Sequence, residues 1–306
     1  MYRYLFMRIL NLIPLLIIVS FVVFMFVHII PGDPARLLAG QDATREEVEL
    51  ARSVLNLDKP LLQQYFIYMS GLFVGDLGFS IKSGASVAQI ISDRILPSLG
   101  LTFASIVWAT VVGMLIGILS ATFRNRWPDQ LGMLTAISGI SLPNFWVGLV
   151  IIQIFSVQLG WFPTGGAGSW QSYIMPSFAL GAGIMAIIAR FTRSSLVESL
   201  KQDYIRTGRS KGLGKGSIVF GHALKNSLIP VITVTGLQFG FLLGGSVVVE
   251  TVFSFPGLGT LLIDSIQFRD YPVIQALILL FALQFILVNF IVDIIYGFVN
   301  PKIRYD

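Results

Sequence analysis

The sequence predicts an all-α, polytopic membrane protein with six transmembrane helices, and three observations carry that assignment. Of 306 residues, 55% are hydrophobic and 12% charged, about half the charge of an ordinary soluble domain. The mean hydropathy is +0.79. Apolar runs of about 20 residues recur along the chain, each long enough to cross a ~30 Å hydrocarbon core as a helix.

The first run, 9–30, follows Arg3 and Arg8. It is longer than the apolar core of a signal peptide, about 7–15 residues, and no small-x-small cleavage site follows. A retained first span is expected, ending at Pro31-Gly32-Asp33-Pro34, which cannot continue a helix. Residues 31–97 then form the one sizeable polar region, with eight acidic and six basic side chains. Thr44 with Glu47 three residues on has the pattern of a capping box, opening a short amphipathic helix from Thr44 to Leu57. Further short helices are expected over Leu61–Phe73 and Val87–Ile95. This region reads as a small cap outside the membrane.

The remaining spans are expected at 98–123, 132–158, 173–191, 227–249 and 273–298, a five-helix core within residues 98–299. The third is uncharged but interrupted by Ser141-Leu142-Pro143-Asn144, so a kinked helix is expected. Asp293 falls near the inner end of the last span, where an ion pair or an interfacial position suits a carboxylate. Glu250 to Pro272 reads as a polar turn, and 300–306 as a short tail.

Charge sets the orientation. Fourteen Lys and Arg fall in the N-terminus, the 124–131 loop, the 190–225 stretch and the tail. The opposite side has Arg269 in its short loops and six bases in the nearly balanced 31–97 region. The positive-inside rule therefore places both termini in the cytoplasm. The net charge of +5 is a topology signal and points to no nucleic-acid partner.

The absence of cysteine excludes disulfides, thiolate metal sites and thiol nucleophiles. His28 and His222 are the only histidines and fall on opposite sides of the membrane, so they share no metal and form no hydrolytic triad. His28 reads as an interfacial residue.

The most informative stretch is Arg190 to Pro230, where eight Lys and Arg face only Glu198 and Asp203. Leu196, Leu200 and Tyr204 recur at helical spacing, and Ser194 or Ser195 is placed to cap a new helix. Gly208 and Gly212 permit a sharp turn, and a second short helix, Ser217 to Leu224, leads to Pro230. The run Gly212-Leu213-Gly214-Lys215-Gly216-Ser217 fails as a phosphate loop, because Arg209 holds the first glycine position and Gly216 the place of the magnesium-binding Ser or Thr. An ordered, basic helix-turn-helix on the cytoplasmic face suits either anionic lipid or a cytoplasmic subunit.

D-Y-I-R-T-G-R-S-K-G (203–212) with H-A-L-K-N-S-L-I-P (222–230) resembles the coupling-loop signature of ABC importer permeases of the dipeptide, oligopeptide and nickel group. The resemblance covers essentially the whole chain. R-I-L-N-L-I-P, P-G-D-P-A, L-P-N-F-W (142–146), L-L-G-G-S-V-V-V-E (242–250), F-P-G-L-G (255–259) and R-D-Y-P-V-I-Q (269–275) are similar to the first permease of the pair. R-N-R-W-P-D (124–129) and L-Q-F-G-F-L-L-G-G-S (237–246) resemble its glutathione-importing branch. The chain departs from the general importer signature in placing Arg206, Thr207 and Gly208 in the first three positions, with Gly212 last. Gly208 stands where alanine is usual in the subgroup, which would loosen the turn.

The resemblance implies a multi-pass permease of a bacterial inner membrane, not itself an enzyme. It implies pairing with a second homologous permease, two ATPase subunits that use ATP and magnesium, and an extracytoplasmic solute-binding protein. No cofactor is expected on this chain. Asp203, Tyr204, Arg206, Thr207, Gly208, Arg209 and Gly212 are then the expected ATPase-coupling residues. Asn144, Gln153, Gln238, Gly244 and Gly245 are candidate pathway positions. The implied cargo is a dipeptide, oligopeptide or glutathione, with a nickel or metal chelate as the alternative. An ion-coupled secondary transporter is the alternative from another class; such proteins tend to carry charge at the bilayer midplane and inverted repeats, whereas segments two to five here contain almost no central charge and no convincing internal repeat is found.

Overall fold

The structure, a computed structural model, describes residues 2–29, 33–40 and 42–299. The 300–306 tail, and Pro31 and Gly32 of the Pro31-Gly32-Asp33-Pro34 turn, lie outside the described residues. Helices dominate, and the described residues contain no strand beyond an isolated bridge between Phe79 and Ser86. The chain divides into two compact units, one built from Pro97–Phe255 with the chain from Phe285 onward, the other from Tyr2–Leu96 and Pro256–Gln284.

The first unit is organised on α8 (Ile174–Ser199), which touches α6 (Trp127–Ser141), α7 (Asn144–Ile151), α10 (Leu224–Gly245) and α11 (Val247–Val252). Small residues let backbones approach where burial of apolar area between membrane helices gives little drive. On α5 (Val87–Thr122) a Cβ added to Gly117 would lie 2.5 Å from the Thr192 Cβ and 2.7 Å from the Ala189 carbonyl. One turn earlier, Gly113 meets the Met185 carbonyl in the same way. Trp108 stacks on Phe178 at 4.3 Å and donates its indole N–H to the Ser177 carbonyl, with Gly181 leaving room for the ring. Phe253 and Phe255 are fully buried, with Tyr173 edge-on to Phe255 at 5.0 Å.

Among the described residues, four helical stretches are long and apolar enough to cross a membrane: Val87–Thr122, Trp170–Ser199, Ser217–Gly244 and Tyr271–Ile294. A fifth is the bent pair Trp127–Ser141 and Asn144–Gln158, whose halves meet at 102°. The kink expected at Pro143 is thus a sharp corner, because Leu142 and Pro143 are both extended and end the hydrogen-bond ladder.

In the second unit, α1 (Tyr2–Ile29) packs on α4 (Leu61–Val74) through Phe21 and Phe24, which meet Tyr65 edge-on at 5.4 and 5.5 Å. Asp33 caps α2 (Pro34–Ala39), and Arg52 of α3 (Arg45–Val54) reaches the same carboxylate at 2.6 Å. The capping box at Thr44 and Glu47 forms as expected. Asp270, almost fully buried, accepts hydrogen bonds from the Ser80 hydroxyl and the Ile81 amide, fastening the 79–86 loop ahead of α13 (Tyr271–Val299).

Three local expectations need correction. Val87–Ile95 is the opening of the 36-residue α5, which continues through Pro97; one lost backbone bond does not break a long helix. No new helix starts at Ser194 or Ser195, because α8 runs unbroken to Ser199 and Ser195 donates instead to the Ser227 carbonyl. The turn read between Glu250 and Pro272 contains α12 (Leu258–Gln267).

Candidate functional site

The basic stretch resolves into a short helix held at one point. After α8 ends, Leu200 to Gln202 turn the chain, and α9 (Asp203–Ser210) follows. Ile205 is the single buried residue of α9, 1% exposed. It seats among Leu196 of α8, Ala121 of α5, and Ile218, Val219 and Ala223 of a π-helical segment, Ser217–Ala223, that runs directly into α10. One side chain thus ties α9 to the ends of three long helices.

The rest of α9 faces outward. Asp203 and Arg206 approach at 3.7 Å with side chains 95% and 83% exposed, a pair worth little to stability and open to other partners. Tyr204 and Arg209 are also exposed, and the Thr207 hydroxyl is turned back onto the Asp203 carbonyl. Asp203 in the first turn and Arg209 in the last complement the helix dipole.

The helix ends in a complete Schellman motif. The Leu213 amide donates to the Gly208 carbonyl and the Gly212 amide to the Arg209 carbonyl, with Gly212 at φ +80°. The turn therefore rests on Gly212 alone. Gly208 lies inside the helix beneath Leu213, where a Cβ would stand 3.4 Å from the Leu213 methyl, an ordinary contact. Its bare backbone does not make the turn.

Among the pathway candidates, Asn144 and Gln238 come together. Both line a cavity of about 380 Å³ bounded by Gly139, Gly183, Ile187 and Phe241. Gln153 lies exposed on the π-helical continuation of α7 and does not join them. Gly244 has open space around it, and Gly245 is the last residue of α10.

Two polar clusters escaped sequence reasoning. Arg193 forms a bidentate pair with Asp129, partners 64 positions apart with no motif linking them. Glu250 is fully buried and accepts hydrogen bonds from Ser98 at 2.7 Å and Ser246 at 2.8 Å. Its place at the edge of a predicted polar turn hid that burial; Ser246 four residues before it was the available signal.

A bundle of apolar helices long enough to span a bilayer, with a short, mostly exposed helix at the junction of three of them, has the form of a membrane transport component. The chain belongs to the family described as binding-protein-dependent transport system inner membrane component, matched over residues 113–305, with that family's N-terminal component matched over 1–114. It is a permease of the ABC-importer class. It is 56% identical over 305 residues, with full coverage of both chains, to the glutathione transport system permease protein GsiC of Escherichia coli (strain K12). Identity to GsiC of Shigella boydii serotype 4 (strain Sb227) is 55% over the same length. In fold it is similar to the inward-facing MetNI methionine ABC transporter, with a TM-score of 0.60 at 21% identity, covering 69% of this chain and 97% of that one. An amino acid ABC transporter solved with histidines aligns at a TM-score of 0.56 and 14% identity over 68% of this chain and 93% of that one.

Proposed function

We propose that this chain is the first permease subunit of an ATP-driven importer of glutathione or short peptides. Six spans, α1 among them, cross a bacterial inner membrane with both termini in the cytoplasm. The chain pairs with a second homologous permease, two ATPase subunits dock below it, and a solute-binding protein delivers cargo from outside. Hydrolysis of ATP with magnesium belongs to the docked subunits.

The observation that carries the coupling role is the Ile205 anchor. A helix that offers Asp203, Tyr204, Arg206, Thr207 and Arg209 outward, and meets three spans through one buried side chain, is built to pass a displacement into the bundle. ATPase closure would move α9, and the π-helical segment and α10 would carry that movement past Pro230, shifting the balance between inward- and outward-open states. Asn144 and Gln238 are the pathway residues favoured by their shared cavity, with Gln153, Gly244 and Gly245 less supported. Full-length similarity to glutathione permeases favours tripeptide-sized cargo over a metal chelate.

Reconstitution of the whole complex in liposomes tests both halves. Gly212→Pro removes the amide that closes α9, and Arg206→Glu reverses its charge. Each is expected to abolish stimulated ATPase activity and uptake while insertion is retained; normal values for both would refute the coupling role. Uptake of labelled glutathione driven by the cognate binding protein tests the cargo, and transport of nickel alone would refute it.

A further inference from the structure

The 124–129 corner holds more positive charge than it uses. Asp129 is its only acid, and both carboxylate oxygens are taken: Oδ1 by Arg193, Oδ2 by Arg193 and the Asn125 amide. Arg124 and Arg126 are exposed, and among the described residues neither makes an ion pair, Arg124 acting on Asp129 only at longer range. Arg126 lines a cavity of about 650 Å³ between the end of α5 and the start of α6, walled by Leu119, Phe123 and Leu131 and floored by Gly132, with Arg124 two residues before Arg126 in the adjoining loop. Gly132 lies so close to Ser120 that a side chain there would run into its hydroxyl. The cleft extends from Arg126 to Ile116 and Thr135, about two helical turns or ~10 Å. Trp127, 72% exposed, stands at its mouth, the place such rings take at a membrane interface.

We propose that this cleft is a binding site for one anionic phospholipid, its headgroup phosphate held by Arg124 and Arg126 and the first part of an acyl chain laid against Gly132. The apolar walls suit an acyl chain and exclude a soluble phosphate ester. Two exposed arginines against one acid, whose oxygens Arg193 and the Asn125 amide already occupy, supply the complementary charge, and each basic residue near a membrane surface contributes about fivefold in affinity for anionic lipid. The proposal rests on the cytoplasmic placement of the 124–131 loop. That placement is tested separately by labelling Asn125→Cys in a chain with no other cysteine, so failure of the topology and failure of the site are distinguishable.

The test is native mass spectrometry of the assembled transporter titrated with phosphatidylglycerol or phosphatidylcholine of the same acyl composition. One phosphatidylglycerol is expected to bind in preference, and R124Q/R126Q to reduce that preference by about 30-fold. T135W, which fills the cleft from an exposed position, is expected to lower occupancy by either lipid. Equal binding of both lipids, or preference unchanged in R124Q/R126Q, overturns the proposal. So does a photocrosslinker at Leu131 that captures the second permease and no lipid.

Discussion

Arg193 grips Asp129 through two parallel hydrogen bonds, Nε to Oδ1 at 2.6 Å and Nη2 to Oδ2 at 2.7 Å, joining α8 to the first turn of α6. The Asp129 side chain is 6% exposed and that of Arg193 28%, so removing one partner leaves a largely buried charge without its counterpart. Asp129→Ala is expected to cost about 3 kcal/mol, the low end for a broken buried pair. A double-mutant cycle with Arg193→Ala on the purified complex checks this; additive losses would mean that the two residues are uncoupled.

The two glycines of the coupling stretch are expected to respond in opposite directions. Gly208→Ala fits beside Leu213 and removes a flexible residue from a helix, so α9 gains about 0.5–1 kcal/mol. Gly212→Ala forces a side chain into φ +80° and costs about 1–2 kcal/mol. Hydrogen exchange at the Leu213 amide, which closes the motif, would slow in the first variant and quicken in the second.

Truncating the anchor should release α9 without disturbing the bundle. Ile205→Ala is expected to cost about 2–5 kcal/mol in local stability, and Ile205→Val about 1 kcal/mol. Faster hydrogen exchange confined to 203–213, with unchanged protection in α8, is the expected pattern. Loss of protection throughout α8 would show that Ile205 supports the bundle itself.

At the α5–α8 contact the limit is space. Gly117→Val places methyl groups against Thr192 and the Ala189 carbonyl, and such overpacking costs about 1–3 kcal/mol. Thr192→Ala in the same chain should recover part of the loss, as read from thermal unfolding in detergent. Gly214→Val, where nothing lies within 4 Å, is the matching control.

The cap of α3 is expected to titrate. Glu47 accepts from the Thr44 amide at 2.7 Å and its hydroxyl at 2.9 Å, and these bonds, the amide first, hold its carboxyl below the ordinary 4.5. A depressed carboxylate contributes its stabilisation above the unfolded value and loses it as pH falls through the lower, folded value. Exchange at the first α3 amides should therefore quicken only under acid conditions below pH 4.5, and Glu47→Gln should flatten that dependence.

Much of this was legible because the bilayer imposes simple rules on a sequence. Apolar length located the helical runs, Pro143 marked the corner, and Thr44 with Glu47 announced its own cap. Spacing within about four residues is what such reading captures. The Arg193–Asp129 pair and the reach of Asp270 to the 80–82 loop depend on segments far apart in the chain, so no local pattern encodes them. Ser195 illustrates the ambiguity of a hydroxyl residue: next to an apolar run it has the form of a cap, yet in a close-packed bundle it serves as a donor to a neighbouring helix. Phe255 and Gly257 spelled a turn, which hid α12 starting one residue later.

Ile205 is the one side chain that α9 buries, while the backbone ties that helix to α8 through residues 200–202 and to the π-helical segment through residues 211–216. Because Ile205 alone is buried in α9, a small tilt of that helix about its anchor would uncover no second buried side chain. If a partner docks on α9 as proposed, its movement reaches the three long helices through that one packed side chain and the two flanking turns. The exposed residues of α9 carry no packing duty, so the surface they form is free to vary in sequence so long as the isoleucine stays in its socket.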